Sequence, residues 1–252
     1  NIINLFLPDK KEFNRLPFYI KDKFKRIVKG AEKVVPVSHH LANSMKKRGL
    51  KGNYTVIPNV VDTDLFTTGN HSTQEIKRIL HVSTLIDDHK NISGIFEVIK
   101  RLTKNREDFK LVIVSDGDIN GAKEIQRSVG LADKFVEYHS TKTPQEIVGF
   151  YQTSDLFLLF SNYENLPVVI SESHCCGLPV VSSSAGGIPE MMDESNGLIV
   201  EPGDNEKLKE AIEFMLDNLD NYNSELIRTN AVNRYDNDVV GKQYYELYKS
   251  IL

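Results

Sequence analysis

The sequence contains no tryptophan, two cysteines, and no apolar run of the roughly 18 residues that a membrane span needs. The two cysteines, Cys175 and Cys176, are adjacent, which excludes a disulfide framework and favours a reducing compartment such as the cytoplasm. No charged and apolar leader opens the sequence, so we expect no secretion signal. The 31 basic and 35 acidic residues give a charge of -4, which provides no reason to expect a nucleic-acid partner.

Short apolar segments alternate with amphipathic ones through the middle of the chain. The strand-like segments are "RILHVS" (78–83), "FKLVIVSDGD" (109–118), "KFVEYHS" (134–140), "DLFLLFSN" (155–162), "LPVVSSS" (178–184) and "NGLIVEP" (196–202). Helical patterns occupy 93–104, 121–129 and 144–152, and further helices are predicted at 205–219 and 239–252. Strand and helix in this order predict an α/β fold, a doubly wound parallel sheet with helices on both faces.

The first 66 residues follow a different pattern. A basic amphipathic stretch (21–33) precedes a strand-like "KVVPVS" (33–38) and a predicted helix (40–47) that Gly49 ends. The polar segment 67–73 is the predicted boundary with the sheet domain.

The stretch "SNYENLPVVISESHCCGLPVVSSSAGGIPE" (161–190) predicts a ligand site where a strand ends and a helix begins. Pro167 suits the first helical turn and Gly177 a left-handed cap, so Glu164 lies in the loop and Glu172 in the second turn. The amides of a helix start suit phosphate. Carboxylates next to phosphate are unfavourable, so Glu164 and Glu172 are better suited to accept hydrogen bonds from sugar or ribose hydroxyls.

Three further loops are expected at the same edge of the sheet. They hold Gly186 with Gly187, "SDGD" (115–118) with Gly117, and Lys90, whose ammonium suits a phosphate. Each feature alone is ordinary: a solvated helix carboxylate, a plain turn, an exposed lysine. Their order along the chain carries the interpretation.

The combination of Glu164-Asn165-Leu166-Pro167, Glu172 after seven intervening residues, and Gly186-Gly187-Ile188-Pro189-Glu190 resembles a known family. It is similar to the signature of retaining GT-B glycosyltransferases of the glycogen-synthase and sucrose-synthase type. Segments 34–49 and 56–66 resemble the end of that family's first domain and its linker.

The resemblance implies a GT-B type Rossmann-like fold with an incomplete first domain. Residues 1–66 would be a remnant of the acceptor domain and linker, 67–235 the nucleotide-sugar domain, and 236–252 a helix packing back towards the first domain. Because the sequence given starts at Asn1 rather than Met, we expect a fragment that binds donor but transfers little.

The resemblance also implies site roles. Glu172 would hold the ribose hydroxyls, Glu164 would lie near the transferred sugar, and Lys90 would neutralise the diphosphate. The donor-binding residues implied are Thr84, Gly117, Tyr138, His139, Ser140, Asn165, Leu166, Pro167, Val168, Glu172, Gly186 and Gly187, with Glu164 and Lys90 as the catalytic pair. Tyr138 to Ser140 would lie beside the base, and neither a metal nor a cofactor is expected.

Two positions depart from the family pattern. The family commonly has Gly-Arg-Leu after the first strand of this domain, with the arginine on the diphosphate, whereas this chain has Ser83-Thr84-Leu85. Ser115 also stands in place of the first glycine of a Gly-x-Gly loop. Half of the usual cationic clamp is therefore missing, unless another cation substitutes.

The resemblance implies transfer of a sugar, with retention, from a nucleotide diphosphate sugar to a hydroxyl of a glycan or lipid-linked acceptor. Bacterial capsule or lipopolysaccharide synthesis is the expected setting, in the cytoplasm or at the inner face of the membrane, which the basic stretch 21–33 could contact. Nucleotide-sugar 2-epimerases share the architecture but lack the glutamate spacing. A non-catalytic sugar-nucleotide-binding or scaffolding module stays open as the alternative.

Overall fold

The computed structural model describes residues 2–3, 10–69 and 75–252, without the side chains of residues 2–3 and 10–12. The strands in chain order are β1 (Ile2–Ile3), β2 (Lys33–Val34), β3 (Lys77–Val82), β4 (Phe109–Val114), β5 (Val136–His139), β6 (Leu156–Leu159), β7 (Val180–Ser183) and β8 (Gly197–Val200). β1 pairs with β2, and the remaining six form one parallel sheet in the order β5-β4-β3-β6-β7-β8. The predicted fold class is confirmed.

Helices cover both faces of this sheet. They are α1 (Lys10–Arg15), α2 (Phe18–Gly30), α3 (His39–Lys47), α4 (Asp87–Lys90), α5 (Ile92–Leu102), α6 (Ile119–Val129), α7 (Pro144–Gln152), α8 (Val168–Cys175), α9 (Asn205–Asp217), α10 (Ser224–Tyr235) and α11 (Asn237–Lys249). Short 3₁₀ turns lie at Asp133–Phe135, Ile188–Glu190 and Leu219–Asn221.

The strands are apolar throughout because successive side chains enter two different cores. In β3, Ile79 packs beneath α5 and α9, while Leu80 packs on the opposite side with α7, α8 and α10. In β6, Leu156 likewise packs in the core of Ile79, and Phe157 packs in the core of Leu80. A strand buried on both faces has no polar side, so its sequence shows a continuous apolar run.

The segment before the sheet domain has a small core of its own. Its members are Phe13, Val28, Ala31, Val34, Leu41, Met45 and Leu50. Of the predicted strand 33–38, only Lys33–Val34 forms a strand in the structure. Val34 also forms an isolated β-bridge with Tyr54. The predicted boundary 67–73 extends into residues outside the described part of the chain, and the domain division stays a prediction.

Contacts of α3 and of α11 help to attach this first segment to the sheet domain. The Glu190 carboxylate accepts hydrogen bonds from the backbone amides of His39 (2.9 Å) and His40 (2.6 Å) at the start of α3. At the other end, Val240 and Leu247 of α11 pack against Val35 and Ile57. His39 and His40 therefore contribute to this contact through their backbone amides.

Some features of the chain were not predicted, and two of them concern the sheet domain. α10 was missed, although it buries Ile227, Ala231 and Tyr235. Lys90, expected in a loop, is instead the last residue of the single-turn helix α4.

We expect Glu190→Ala to lower the free energy of unfolding by about 1 kcal/mol, because a helix start loses an anionic cap. Urea denaturation of this variant and of Glu194→Ala, an exposed carboxylate four residues away, measures the difference. Equal losses in the two variants would show that the Glu190 bonds do not contribute to stability.

Candidate functional site

The candidate site lies where the strand order of the sheet reverses. β3 is followed in the chain by strands on one side, β4 and β5, and β6 by strands on the other, β7 and β8. The connections after β3 and β6 therefore turn away from each other and leave a crevice at the carboxyl ends of these strands. The loops after both strands line this crevice.

A chain of hydrogen bonds from the core holds the loop after β3. The Nδ1 of buried His81 lies 2.8 Å from the Leu158 carbonyl of β6, which can only accept, so Nδ1 carries the proton. The Nε2 then accepts from the Ser83 hydroxyl (2.8 Å), which in turn accepts from the Leu85 amide (3.1 Å). Leu85 has a φ of 58°, so these bonds maintain a backbone shape that leucine disfavours.

Burial keeps His81 neutral, as this chain of bonds requires. Desolvation lowers the pKa of His81 to about 4, the nearby Lys90 charge acts in the same direction, and the bond to Leu158 opposes both. At neutral pH the ring therefore has one donor and one acceptor, which matches its two partners.

Ser115, which replaces the first glycine of the Gly-x-Gly pattern, joins two loops. Its hydroxyl donates to the Ser83 carbonyl (2.6 Å) and accepts from the Gly117 amide (2.8 Å). A methyl group on Gly117 would lie 1.8 Å from the Thr84 carbonyl oxygen, so only glycine fits there. Gly117 thus supports the loop of Thr84, and its expected contact with donor stays a prediction.

The predicted catalytic pair is joined in a direct ion pair. Lys90 Nζ donates to Glu164 Oε1, and the Ser161 hydroxyl donates to the same oxygen (2.7 Å). The loop of Glu164 is tied to α4 by the Asn162 amide, which donates to the His89 carbonyl (2.8 Å). Glu164 is 9% exposed, so a mostly buried carboxylate faces one cation and one hydroxyl.

The double glycine makes room for the loop of Glu164. Gly186 has a φ of 61°, and a methyl group there would lie 1.8 Å from the Glu164 carbonyl oxygen. The Gly187 amide donates to the Asn165 carbonyl (2.9 Å) and is therefore already engaged. Both glycines act here on the backbone of the neighbouring loop, and their expected contact with donor stays a prediction.

Glu172 projects from the second turn of α8, as predicted. The Tyr151 hydroxyl of α7 donates to Glu172 Oε2 (2.8 Å). Burial raises the pKa of Glu172, and the bond from Tyr151 lowers it by less. One carboxylate oxygen thus has a protein partner, while the side chain still borders a cavity.

Two adjoining cavities open at this edge of the sheet. The first, of about 440 Å³, is lined by Val82, Ser83, Thr84, Lys90, Val114, Ser115, Asp116, Thr141, Lys142, Ile147, Glu164, Pro167, Val168 and Val169. The second, of about 480 Å³, is lined by Asp62, Leu65, Phe66, Lys142, Pro144, Gln145, Ile147 and Glu172. The volumes suit a small-molecule ligand.

The structure brings together only some of the predicted residues. Thr84, Lys90, Glu164, Pro167 and Val168 line the first cavity, and Glu172 lines the second. Leu166 is buried in the core, and Asn165 is partly buried beneath the loop.

The residues expected beside the base have side-chain partners elsewhere. Tyr138 donates to Gln126 (2.7 Å), His139 contacts Glu137 and the ring of Phe150, and Ser140 is exposed. None of these three lines either cavity with its side chain, and the backbone contacts expected of them stay a prediction.

Lys142 is a charged residue that the sequence interpretation missed, and it lines both cavities. A signal was present, since the residue follows a predicted strand and precedes the Thr-Pro start of a predicted helix. Thr141, Ile147 and Val169 were missed as well.

Further features of the described chain that bear on its function are its cysteines, its metal-ligating residue types and the length of its helices. Cys175 and Cys176 are buried, and burial raises both of their thiol pKa values, which disfavours a role as nucleophiles. Within residues 2–3, 10–69 and 75–252, no three His, Cys, Asp or Glu side chains cluster as metal ligands would. The same part of the chain has no helix that meets the length and apolarity of a membrane span.

A six-stranded parallel sheet with this strand order defines a Rossmann-like domain. The family described as glycosyl transferases group 1 matches residues 76–218. Because this match takes in more than half of the chain, the chain belongs to the group 1 glycosyl transferases.

Named relatives agree with this membership. A D-inositol 3-phosphate glycosyltransferase of Corynebacterium aurimucosum is 27% identical over 183 residues, 66% of this chain and 43% of that protein. The putative teichuronic acid biosynthesis glycosyltransferase TuaC of Bacillus subtilis is 27% identical over 216 residues, 80% of this chain and 52% of that protein. The chain thus spans about half the length of these relatives.

Solved structures show the same fold. A sucrose-phosphate synthase of Thermosynechococcus elongatus superposes with a TM-score of 0.83 at 20% identity, covering 96% of this chain and 64% of that one. Anabaena HepE, in complex with UDP and glucose, gives 0.82 at 19% identity, covering 99% and 71%. The expected GT-B type fold is therefore confirmed.

We expect Gly186→Ala to destabilise the chain more than Gly203→Ala does. Both glycines have positive φ, so alanine at either costs about 1–2 kcal/mol, but a methyl group on Gly203 contacts nothing within 4 Å. The excess loss in Gly186→Ala measures the collision with Glu164 in urea denaturation. Equal losses would contradict the collision.

We expect Glu172→Gln to raise the free energy of unfolding at pH 7. A carboxyl whose folded pKa is raised favours folding while protonated, and this contribution is lost as pH rises through the folded pKa. The amide cannot ionise and still offers Tyr151 an acceptor. Urea denaturation from pH 7 down to about 3, where the carboxyl is largely protonated in both states, should show the variant's advantage disappear. An advantage independent of pH would contradict an ionisation effect.

Proposed function

We propose that the two cavities bind a nucleotide diphosphate sugar, and that the protein transfers its sugar to a hydroxyl acceptor with retention of configuration. The observation that carries the proposal is the Lys90–Glu164 pair beside the start of α8, at the reversal of strand order. A cation, a carboxylate and a helix start together offer partners for both the phosphate and the sugar hydroxyls of such a donor.

The helix start supplies uncommitted donors. The first amides of a helix have no partner within it, and in the described chain no hydrogen bond of the Val168 or Val169 amide to a residue outside the helix is found. Both residues line the first cavity with Lys90. Amides and a positive helix end are suited to phosphate oxygens.

Ligand binding would divide the Lys90–Glu164 pair. A diphosphate beside Lys90 would compete with Glu164 for the ammonium, since a phosphate oxygen is an equally strong charged acceptor. Glu164 would then have an oxygen free for a sugar hydroxyl while Ser161 still holds the carboxylate in place. The ion pair therefore holds the Lys90 and Glu164 side chains in the site before the donor binds.

Glu172 is suited to the ribose. Its Oε2 is occupied by Tyr151, which leaves Oε1 for a ribose hydroxyl in the second cavity. A donor spanning the two cavities would place its sugar near Glu164 and its nucleoside near Glu172.

The proposed chemistry is a front-face displacement. The bond between the anomeric carbon and the phosphate oxygen breaks, the acceptor oxygen bonds to the same face of that carbon, and the acceptor proton passes to the departing phosphate oxygen. The chain's residues then act by stabilising the charge of the leaving diphosphate and by orienting the sugar. No metal or cofactor takes part in this proposal.

The wider setting is inferred from the relatives. One of them is named for teichuronic acid biosynthesis, which supports a role in polysaccharide synthesis with a glycan or lipid-linked acceptor. Phe18 and Tyr19 are 81% and 70% exposed at the start of the basic helix α2, which favours contact with an anionic membrane from the cytoplasmic side.

A non-catalytic nucleotide-binding module is the second candidate. It is favoured by Thr84 in place of the arginine and by the commitment of Lys90 to Glu164. Binding without turnover in a protein that includes a complete first domain would support it.

The proposal predicts that UDP, GDP or ADP, or a sugar conjugate of one of them, raises the thermal midpoint of this chain. At 100 times its Kd a ligand adds about 2.7 kcal/mol, and roughly 2–4 °C accompany each kcal/mol in a protein of this size. The shift should survive EDTA, weaken in Glu172→Ala and persist in the control Glu194→Ala. No shift with any of these nucleotides would overturn the proposal for this chain.

A further inference from the structure

We propose that Lys142 supplies the second cation for the diphosphate, in the role that similar sequences give to an arginine at the position of Thr84. The inference rests on the proposed function and names a donor-binding residue of the same site.

Lys142 lies at the junction of the site. The two cavities share two lining residues, Lys142 and Ile147. A donor that reaches from Glu164 in the first cavity to Glu172 in the second therefore passes Lys142. The part of a nucleotide sugar between its sugar and its ribose is the diphosphate, so the ammonium meets the most negative part of the ligand.

The charge of Lys142 is available for a ligand. Lys90 is the other cation lining the first cavity, and it is already paired with Glu164. Across residues 2–3, 10–69 and 75–252, no hydrogen bond or ion pair to the Lys142 side chain is found. The carboxylates that line the cavities around it are Asp62, Asp116, Glu164 and Glu172. Removal of Lys142 would leave Lys90, paired with Glu164, as the one cation among these carboxylates in the described lining of the two cavities.

The nearest acidic neighbour along the chain is otherwise engaged. Glu146 accepts from the amide and the hydroxyl of Thr143 (2.8 and 3.0 Å), and these bonds are the main cause that lowers the pKa of Glu146; the charge of Lys142 acts in the same direction by less. In return the Thr143 hydroxyl accepts from the Glu146 amide (3.3 Å), completing a capping box at the start of α7. The Glu146 carboxylate therefore caps the start of α7.

The same capping box anchors Lys142. Lys142 immediately precedes Thr143, so its backbone is fixed at the start of α7 while its four-carbon side chain can reach a ligand. α7 also carries Tyr151, the partner of Glu172. One helix thus positions the phosphate cation and the ribose carboxylate.

Affinity measurements on the 252-residue chain test the proposal. UDP, GDP and ADP are titrated first, and the tightest is compared with its nucleoside for wild type, Lys142→Gln, Lys142→Arg and the double variant Lys142→Gln/Thr84→Arg. Lys110→Gln is the matched control, because Lys110 lies at the opposite end of β4 from the cavities.

We expect Lys142→Gln to weaken diphosphate binding about tenfold or more, as for the loss of one charge-assisted contact. Nucleoside affinity and the control should be unchanged, Lys142→Arg should retain binding, and Thr84→Arg should restore most of what Lys142→Gln loses. The loss should also diminish at high salt, where exposed charges are screened.

Unchanged diphosphate affinity in Lys142→Gln would overturn this inference and leave the proposed function standing. An equal loss for nucleoside and diphosphate would overturn it too, because it would show a general disturbance of the site. Failure of the wild-type chain to bind any of the three nucleotides would instead overturn the proposed function itself.

Discussion

The reversal of strand order between β3 and β6 is the constraint on which the rest of the molecule depends. The connections after β3 and after β6 run to opposite faces of the sheet, and this divergence opens a gap between the two loops. The crevice follows from connectivity alone. What the sequence adds is the means of holding each loop at its edge: a buried histidine beneath one, two glycines beside the other, and an ion pair between them.

Polar groups in this domain are concentrated where the loops need partners. Serines at the end of β7 and after β6 accept or donate across strands, as when Ser183 donates to the Ser161 carbonyl (2.6 Å). These hydroxyl bonds tie the ends of β6 and β7 together at the base of the crevice. The Lys142 side chain, in contrast, has no hydrogen bond or ion pair in the described chain.

The sequence predicted the sheet well because strands buried on both faces leave an unambiguous apolar pattern, as in "DLFLLFSN". It predicted Glu164, Lys90 and Glu172 as one group because strand ends in a parallel sheet meet at one edge. α10 was missed because its buried residues, Ile227, Ala231 and Tyr235, are few and separated by polar ones. Lys142 was missed because a single lysine between a predicted strand and a predicted helix is a weak signal, and its place between two cavities exists only in three dimensions.

The turn at Ile188–Glu190 couples the segment before the sheet to the loop of Glu164. Glu190 holds the amides that begin α3, the preceding Gly187 holds the Asn165 carbonyl, and the Ser38 hydroxyl approaches that carbonyl from the other side (3.5 Å). A rotation of α3 that keeps these bonds has to carry Asn165, and with it the Glu164 loop, in the same direction. The width of the crevice therefore depends on the orientation of the segment that precedes the sheet.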